Sequence, residues 1–251
     1  MPSVGIHGWA SVTTAKGHKE RFGHTFRRIG PFVKIAQLGA TDAVESTPEG
    51  LGVFLGTGLG NTADIVPLMT SVLDPHRPRC SPMAFAGCVG NSAAFFVAAV
   101  LGSTGPSVTV SQEELSFEAA LLEAVIAMDE GLQWALVGGV DVMSGSPVDQ
   151  RHRVNAVGVE GELGEGAAFI LLGPREGATA TVDRVELGTF PLDPADRTPL
   201  YGWRMDHPQR ERRLVPVAAG LRIVEALDHP GRYVHLNRSA GGLSARVCFT
   251  R

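Results

Sequence analysis

Apolar positions fall in short blocks whose period changes along the chain, and the changes mark out elements. Residues 4–9 predict an opening strand. Val33, Ile35, Ala36, Leu38 and Ala40 predict a helix over 32–44. A short buried strand over 52–55 runs into the glycine turn Gly56-Thr-Gly-Leu-Gly60, and a helix over 63–73 follows. Pro75, Pro78 and Pro82 predict a loop, and 91–101, small and apolar on every side, predicts a fully buried helix. After a forced turn at Gly105-Pro106, residues 107–111 alternate as a strand. Leu115, Ala119, Leu122 and Ile126 then mark an amphipathic helix over 115–128. Apolar strands are predicted over 134–140, ending at Gly138-Gly139, and over 167–172, introduced by Gly164-Glu-Gly166, with a polar loop between them. The remaining pattern predicts a strand over 181–190, irregular chain over 191–209, a helix over 215–227 and a closing hairpin of 233–237 with 245–250. This order fits a mixed sheet covered by helices, an α/β protein.

Composition narrows the function more than the fold. The chain has 251 residues and 44% hydrophobic content, enough for a proper core, and 31 glycines with only 6% aromatics favour close packing and tight turns. The net charge of −4 is spread along the chain, without a basic arm to neutralise a phosphate backbone, so nucleic acid is not an expected partner. The mixed-sign run over 204–213 has the pattern of a solvated loop. Cys80, Cys88 and Cys248 are an odd number without CxxC spacing, which suggests neither a disulfide framework nor zinc and fits a reducing cytoplasm. No leader-like segment opens the sequence, and no apolar run approaches the roughly 20 residues that span a bilayer, so a soluble protein is expected.

Few residues announce chemistry by themselves. Gly56-Thr-Gly-Leu-Gly60 suggests a phosphate loop, but a dinucleotide pattern needs glycine at position 61, which is Asn61. The eight histidines are scattered, with no HxxxH or HExxH pair, and no metal or cofactor is expected. Cys88 is a candidate nucleophile, yet its small apolar neighbours would raise its pKa and favour a packing role. Glu113 and Glu114 stand at the start of the strong helix, where the dipole favours carboxylates, and Ser111 or Gln112 is a candidate cap.

Several segments, in order and nearly in spacing, resemble the N-terminal half of the β-ketoacyl synthases. They are residues 52–60, Ser81-Pro82 with Asn91, Gly105-Pro-Ser-Val-Thr-Val110, Gly138-Gly139 and Gly164-Glu-Gly-Ala167. Ala218-Ala-Gly220 resembles the start of the synthases' late helix, and residues 237–249 with Gly241-Gly242 resemble their last hairpin. The resemblance implies a thiolase-like layered fold in one domain over 1–251. It comprises one complete βαβαβ-type half with a mixed sheet, 1–173, and a truncated remnant of the second half, 174–251.

In the synthases a cysteine at the turn after the Gly-Pro strand accepts the acyl chain. An ungapped count from Gly105-Pro106 puts Glu114 there. A carboxylate is a poor acyl carrier, because the mixed anhydride it would form hydrolyses readily. One family histidine falls in the missing stretch and the other at Leu214, so the resemblance implies no catalytic set for condensation.

Such losses resemble the chain length factors, subunits that pair with an active synthase. The run Ser111-Gln-Glu-Glu-Leu-Ser116, with its cluster Gln112, Glu113, Glu114 and Ser116, resembles short ketosynthase-like proteins of aryl polyene pathways. The implied partners are a full-length β-ketoacyl synthase, as a heterodimer, and an acyl carrier protein, with a homodimer as the alternative in isolation. Ser107, Val108, Thr109, Val110 and Ser111 would form the interface strand, and Met83, Ala84, Phe85 and Cys88 would line the partner's acyl tunnel. A malonyl-thioester decarboxylase and a homodimeric carrier-binding scaffold are the competing expectations.

Overall fold

The computed structural model describes residues 3–23, 29–76, 78–144, 165–190, 218–239 and 241–251. The predicted irregular stretch over 191–209, the charged run 204–213, the loop before Glu165, the first turn predicted from residue 215 and Leu214 lie outside the described residues.

The strands are β1 (Val4–Val12), β2 (Gly52–Gly56), β3 (Ser107–Val110), β4 (Ala135–Asp141), β5 (Gly166–Gly173), β6 (Ala180–Gly188), β7 (Arg232–Arg238) and β8 (Ser244–Thr250). The helices are α1 (His18–Phe22), α2 (Pro31–Ala43), α3 (Thr62–Val72), α4 (Pro82–Cys88), α5 (Ser92–Leu101), α6 (Ser116–Asp129) and α7 (Ala218–Leu227). A single 3₁₀ turn, Glu113–Leu115, leads into α6. Among the described residues eight strands share one sheet in the order β3-β2-β4-β5-β1-β6-β8-β7. β2 is parallel to β3 and β4, and the remaining pairings are antiparallel.

Two apolar cores lie on opposite faces of the central strands. One joins α2 and α5 to one face of β2, β4 and β5 through Phe32, Ile35, Val97, Leu136 and Phe169. The other wraps α6 and α7 between β2, β4 and β5 on one side and β6, β7 and β8 on the other, through Phe117, Leu121, Ile170, Ile223 and Phe249. The sheet therefore folds around α6 and α7, a mixed sheet covered by helices as the sequence pattern predicts. Close approach needs particular glycines. A Cβ on Gly138 would stand 2.1 Å from the Phe169 ring, and one on Gly220 2.6 Å from the Phe117 ring, so α7 lies directly against α6.

Two expectations change. The proline-rich loop contains α4, because Pro82 occupies the first turn, where its missing N–H costs nothing, and Ser81 Oγ accepts from the Ala84 N–H at 3.4 Å. The helix expected to be wholly buried, now α5, buries Ser92, Ala93, Ala94 and Val97 but leaves Phe95 58% exposed. Apolar residues all round a helix signal burial, but the pattern does not say against which chain.

Candidate functional site

The glycine turn after β2 is organised around a carboxylate of its own. Asp141, fully buried at the end of β4, accepts through Oδ1 from Thr57 Oγ1 at 2.9 Å, Gly58 N–H at 3.1 Å and Leu59 N–H at 2.9 Å. The Gly60 N–H donates to Thr57 Oγ1 at 2.9 Å. The amides that a phosphate would need are thus spent on Asp141, which removes the nucleotide reading on physical grounds. Gly60, at φ +65°, turns the chain into α3. Asn61 Nδ2 then donates to Asp64 Oδ2 at 2.7 Å and to the Gly87 carbonyl at 2.8 Å, tying the turn to α4.

These elements surround a half-open cavity of about 370 Å³, within the range of small-ligand sites, whose wall includes Asn61, Ile65, Cys88, Val89, Thr109 and Ser111. Of the four residues expected at a tunnel, Cys88 lines this cavity, Ala84 is partly buried and Phe85 is 58% exposed. The side chain of Met83 lies outside the described residues. Burial, then the Asp64 carboxylate and Cys80, hold the Cys88 thiol above the ordinary cysteine value, which suits a packing residue better than a nucleophile.

Among the described residues β3 is an edge strand, hydrogen-bonded only to β2. Ser107 is exposed, Val108, Thr109 and Val110 are partly buried, and Ser111 just beyond the strand is exposed. Gln112 and Glu113 are exposed, and Glu113 takes φ +47°, rare for a residue with a Cβ. The expected cap by Ser111 or Gln112 is replaced. Ser116 Oγ accepts from the Gln112 N–H at 2.9 Å and donates to the Glu113 carbonyl at 2.6 Å, folding the turn back on the helix that follows.

Glu114 is partly buried at this turn, and its Oε2 is enclosed without a hydrogen-bond partner among the described residues. One helical turn on, Glu118 is fully buried. Its Oε1 accepts from Asn237 Nδ2 at 2.8 Å and lies 2.9 Å from His235 Nε2, both on β7, while Asn237 Nδ2 also donates to the Glu114 carbonyl at 3.0 Å. The side chain of His235 is 10% exposed. A histidine thus stands beside the start of α6, where sequence reasoning saw none. The available signal was Glu118 itself, which shares the inward face of α6 with Leu121 and Val125 at helical spacing. Its partner β7 begins more than a hundred residues later, and no local pattern announces that contact.

Residues 34–155 match the family model of the β-ketoacyl synthase N-terminal domain. No curated protein matches the chain in sequence. Among solved structures, the ishigamide ketosynthase/chain length factor superposes with a TM-score of 0.78 at 18% identity, covering 100% of this chain and 99% of that one. A type II polyketide synthase ketosynthase, solved with its acyl-carrier protein, gives 0.81 at 13% identity, covering 100% and 99%. The ketosynthase of Xenorhabdus doucetiae in complex with its chain length factor gives 0.65 at 14%, covering 100% of both chains. At these identities the likeness is one of fold. Residues 34–155 thus match the synthases' N-terminal domain, and the chain as a whole has the thiolase-like fold of these ketosynthase structures.

Proposed function

We propose that this chain is a non-condensing, chain-length-factor-like subunit. It pairs through β3 with a catalytic β-ketoacyl synthase and shapes that enzyme's acyl tunnel in cytoplasmic fatty-acid or polyketide synthesis of the aryl polyene type. The observation that carries the proposal is a strand edge left open among the described residues and followed four residues on by Glu114, where the family resemblance puts the acyl-accepting cysteine. An edge strand with unpaired N–H and C=O groups is a template for a partner's strand. A carboxylate at the adjoining turn gives no stable acyl intermediate, so the pairing surface is retained without transacylation. That two of the structurally similar proteins are ketosynthases solved with chain length factors supports this reading. The acyl carrier protein would engage the assembled pair.

In such a pair the segment Met83, Ala84, Phe85 and Cys88 faces the partner, and the exposure of Phe85 leaves it available for that contact. An added apolar group has no room in a packed tunnel, so Ala84→Phe should shorten the partner's products. Co-expression with a full-length synthase, sizing of the complex and mass analysis of its products form the test. A wild-type chain that never co-purifies with a synthase would refute the pairing, and product lengths unchanged by Ala84→Phe would refute the tunnel assignment.

Glu118 and His235 beside Glu114 favour one second reading, a malonyl-thioester decarboxylase that does not condense. Acetyl-carrier protein formed from malonyl-carrier protein by the purified chain, and abolished by Glu114→Ala, would support it.

A further inference from the structure

Among the described residues, the well-exposed large apolar side chains all lie between positions 66 and 95. They are Val66, Met69, Val72 and Leu73 at α3, Phe85 and Val89 at α4, and Phe95 on α5. Helix α3 buries only Leu68. Its Val66, Met69 and Leu73, 45%, 47% and 69% exposed, recur at helical spacing as a stripe turned outward, the reverse of a surface helix that faces water. Clustered exposure of this kind marks a surface that is covered in use.

The helix that carries the stripe adjoins the β3 edge. Ile65 of α3, Val89 after α4, and Thr109 and Ser111 of the β3 segment all border the same cavity. The edge alone is too small to hold a partner. Four residues span roughly 13 Å, whereas a stable interface buries about 800 Å² on each side.

We infer that the apolar face of α3 and α4 is the main docking surface for the thiolase-fold synthase, with β3 setting register and Met69 and Leu73 acting as anchors. This rests on the pairing proposed above, since it assigns where the affinity of that pairing resides. Apolar anchors beside a short strand divide the work in a physical way. Burial is non-directional and supplies free energy, while strand hydrogen bonds are directional and fix alignment.

The test is the dissociation constant of the reconstituted pair for the parent chain, for Met69→Glu/Leu73→Glu and for Met69→Leu/Leu73→Ile. The acidic pair should weaken association about 30-fold or more, with the isolated chain's melting temperature unchanged, and the conservative pair should keep parent affinity. Binding within about twofold of the parent in the acidic variant would overturn the inference while leaving pairing through β3 intact. A drop of several degrees in the isolated variant's melting temperature would show that the chain itself covers this face, which also overturns it. If the parent forms only a homodimer that the acidic pair abolishes, the occupant is a second copy. In that case this inference and the synthase-pairing proposal both fail.

Discussion

Replacing Glu118 with leucine takes a fully buried carboxylate away from two donors on β7, His235 Nε2 at 2.9 Å and Asn237 Nδ2 at 2.8 Å. Hydrogen bonds to a charged group contribute roughly 1.5–3 kcal/mol each. Against this, the substitution relieves the burial of a charge whose Oε2 has no partner among the described residues. Asn237 keeps its bond to the Glu114 carbonyl, whereas His235 loses its acceptor. The net cost should be about 3 kcal/mol, which in a chain of this length lowers the melting temperature by roughly 6–12 °C. His235→Leu should cost a similar amount, because it leaves the carboxylate with Asn237 alone.

The double variant decides the case. Replacing both members of a buried polar pair by apolar groups of similar volume removes the orphaned partner along with the bond. It should therefore be less destabilised than the two single changes added together, by about 2 kcal/mol. Urea unfolding followed by circular dichroism measures all four corners of the cycle. A stripped interaction predicts unchanged m-values with shifted midpoints. Additive single effects, or a Glu118→Leu variant within about 0.5 kcal/mol of the parent, would refute the claim that this pair holds α6 to β7.

Two further outcomes follow from the other polar centres. Asp141→Ala removes the acceptor shared by Thr57, Gly58 and Leu59, so it should cost about 3–5 kcal/mol and speed amide exchange at Gly58 and Leu59. Exchange rates there equal to the parent's would show that the turn holds its shape without the carboxylate. Burial, Asp64 and Cys80 raise the Cys88 pKa, so at a given pH it carries less thiolate than an ordinary cysteine. At pH 8 iodoacetamide should label the exposed Cys80 faster than Cys88, and the gap should narrow as pH rises toward 10. Peptide mass spectrometry checks this, and faster labelling at Cys88 would contradict it.

Much of the fold was legible wherever periodicity alone decided. The parallel β2 to β4 unit, α2 and α6 all appear close to their predicted bounds, because local pattern and tertiary packing agree there, although Leu122 and Ile126 of the expected α6 stripe are only partly buried and Phe117, Leu121 and Val125 turn inward instead. Helix α4 was hidden by prolines. A seven-residue helix offers too few repeats for a period to show, and Pro82 is a breaker in one setting and a first-turn residue in another. The site was half legible. The β3 segment and Glu114 follow from the resemblance, but the Asp141 clasp and the Glu118, His235 and Asn237 cluster join segments distant in sequence. Side-chain hydrogen bonds across the fold leave no periodic trace, and only a charge on an apolar helix face hints at one.

β1 carries a consequence for how the chain is made. It pairs with β5 from Gly5↔Gly173 to Val12↔Ala167, and with β6 at Val4↔Val182. Its neighbours in the sheet are thus translated roughly 150 residues later, which at 5–20 residues per second is a wait of about 8–30 s. Throughout that interval an early, apolar strand has no edge to join. The protein should therefore depend on holdase chaperones during synthesis more than its length suggests, and slowing the ribosome before β5 should lower soluble yield even though no residue has changed.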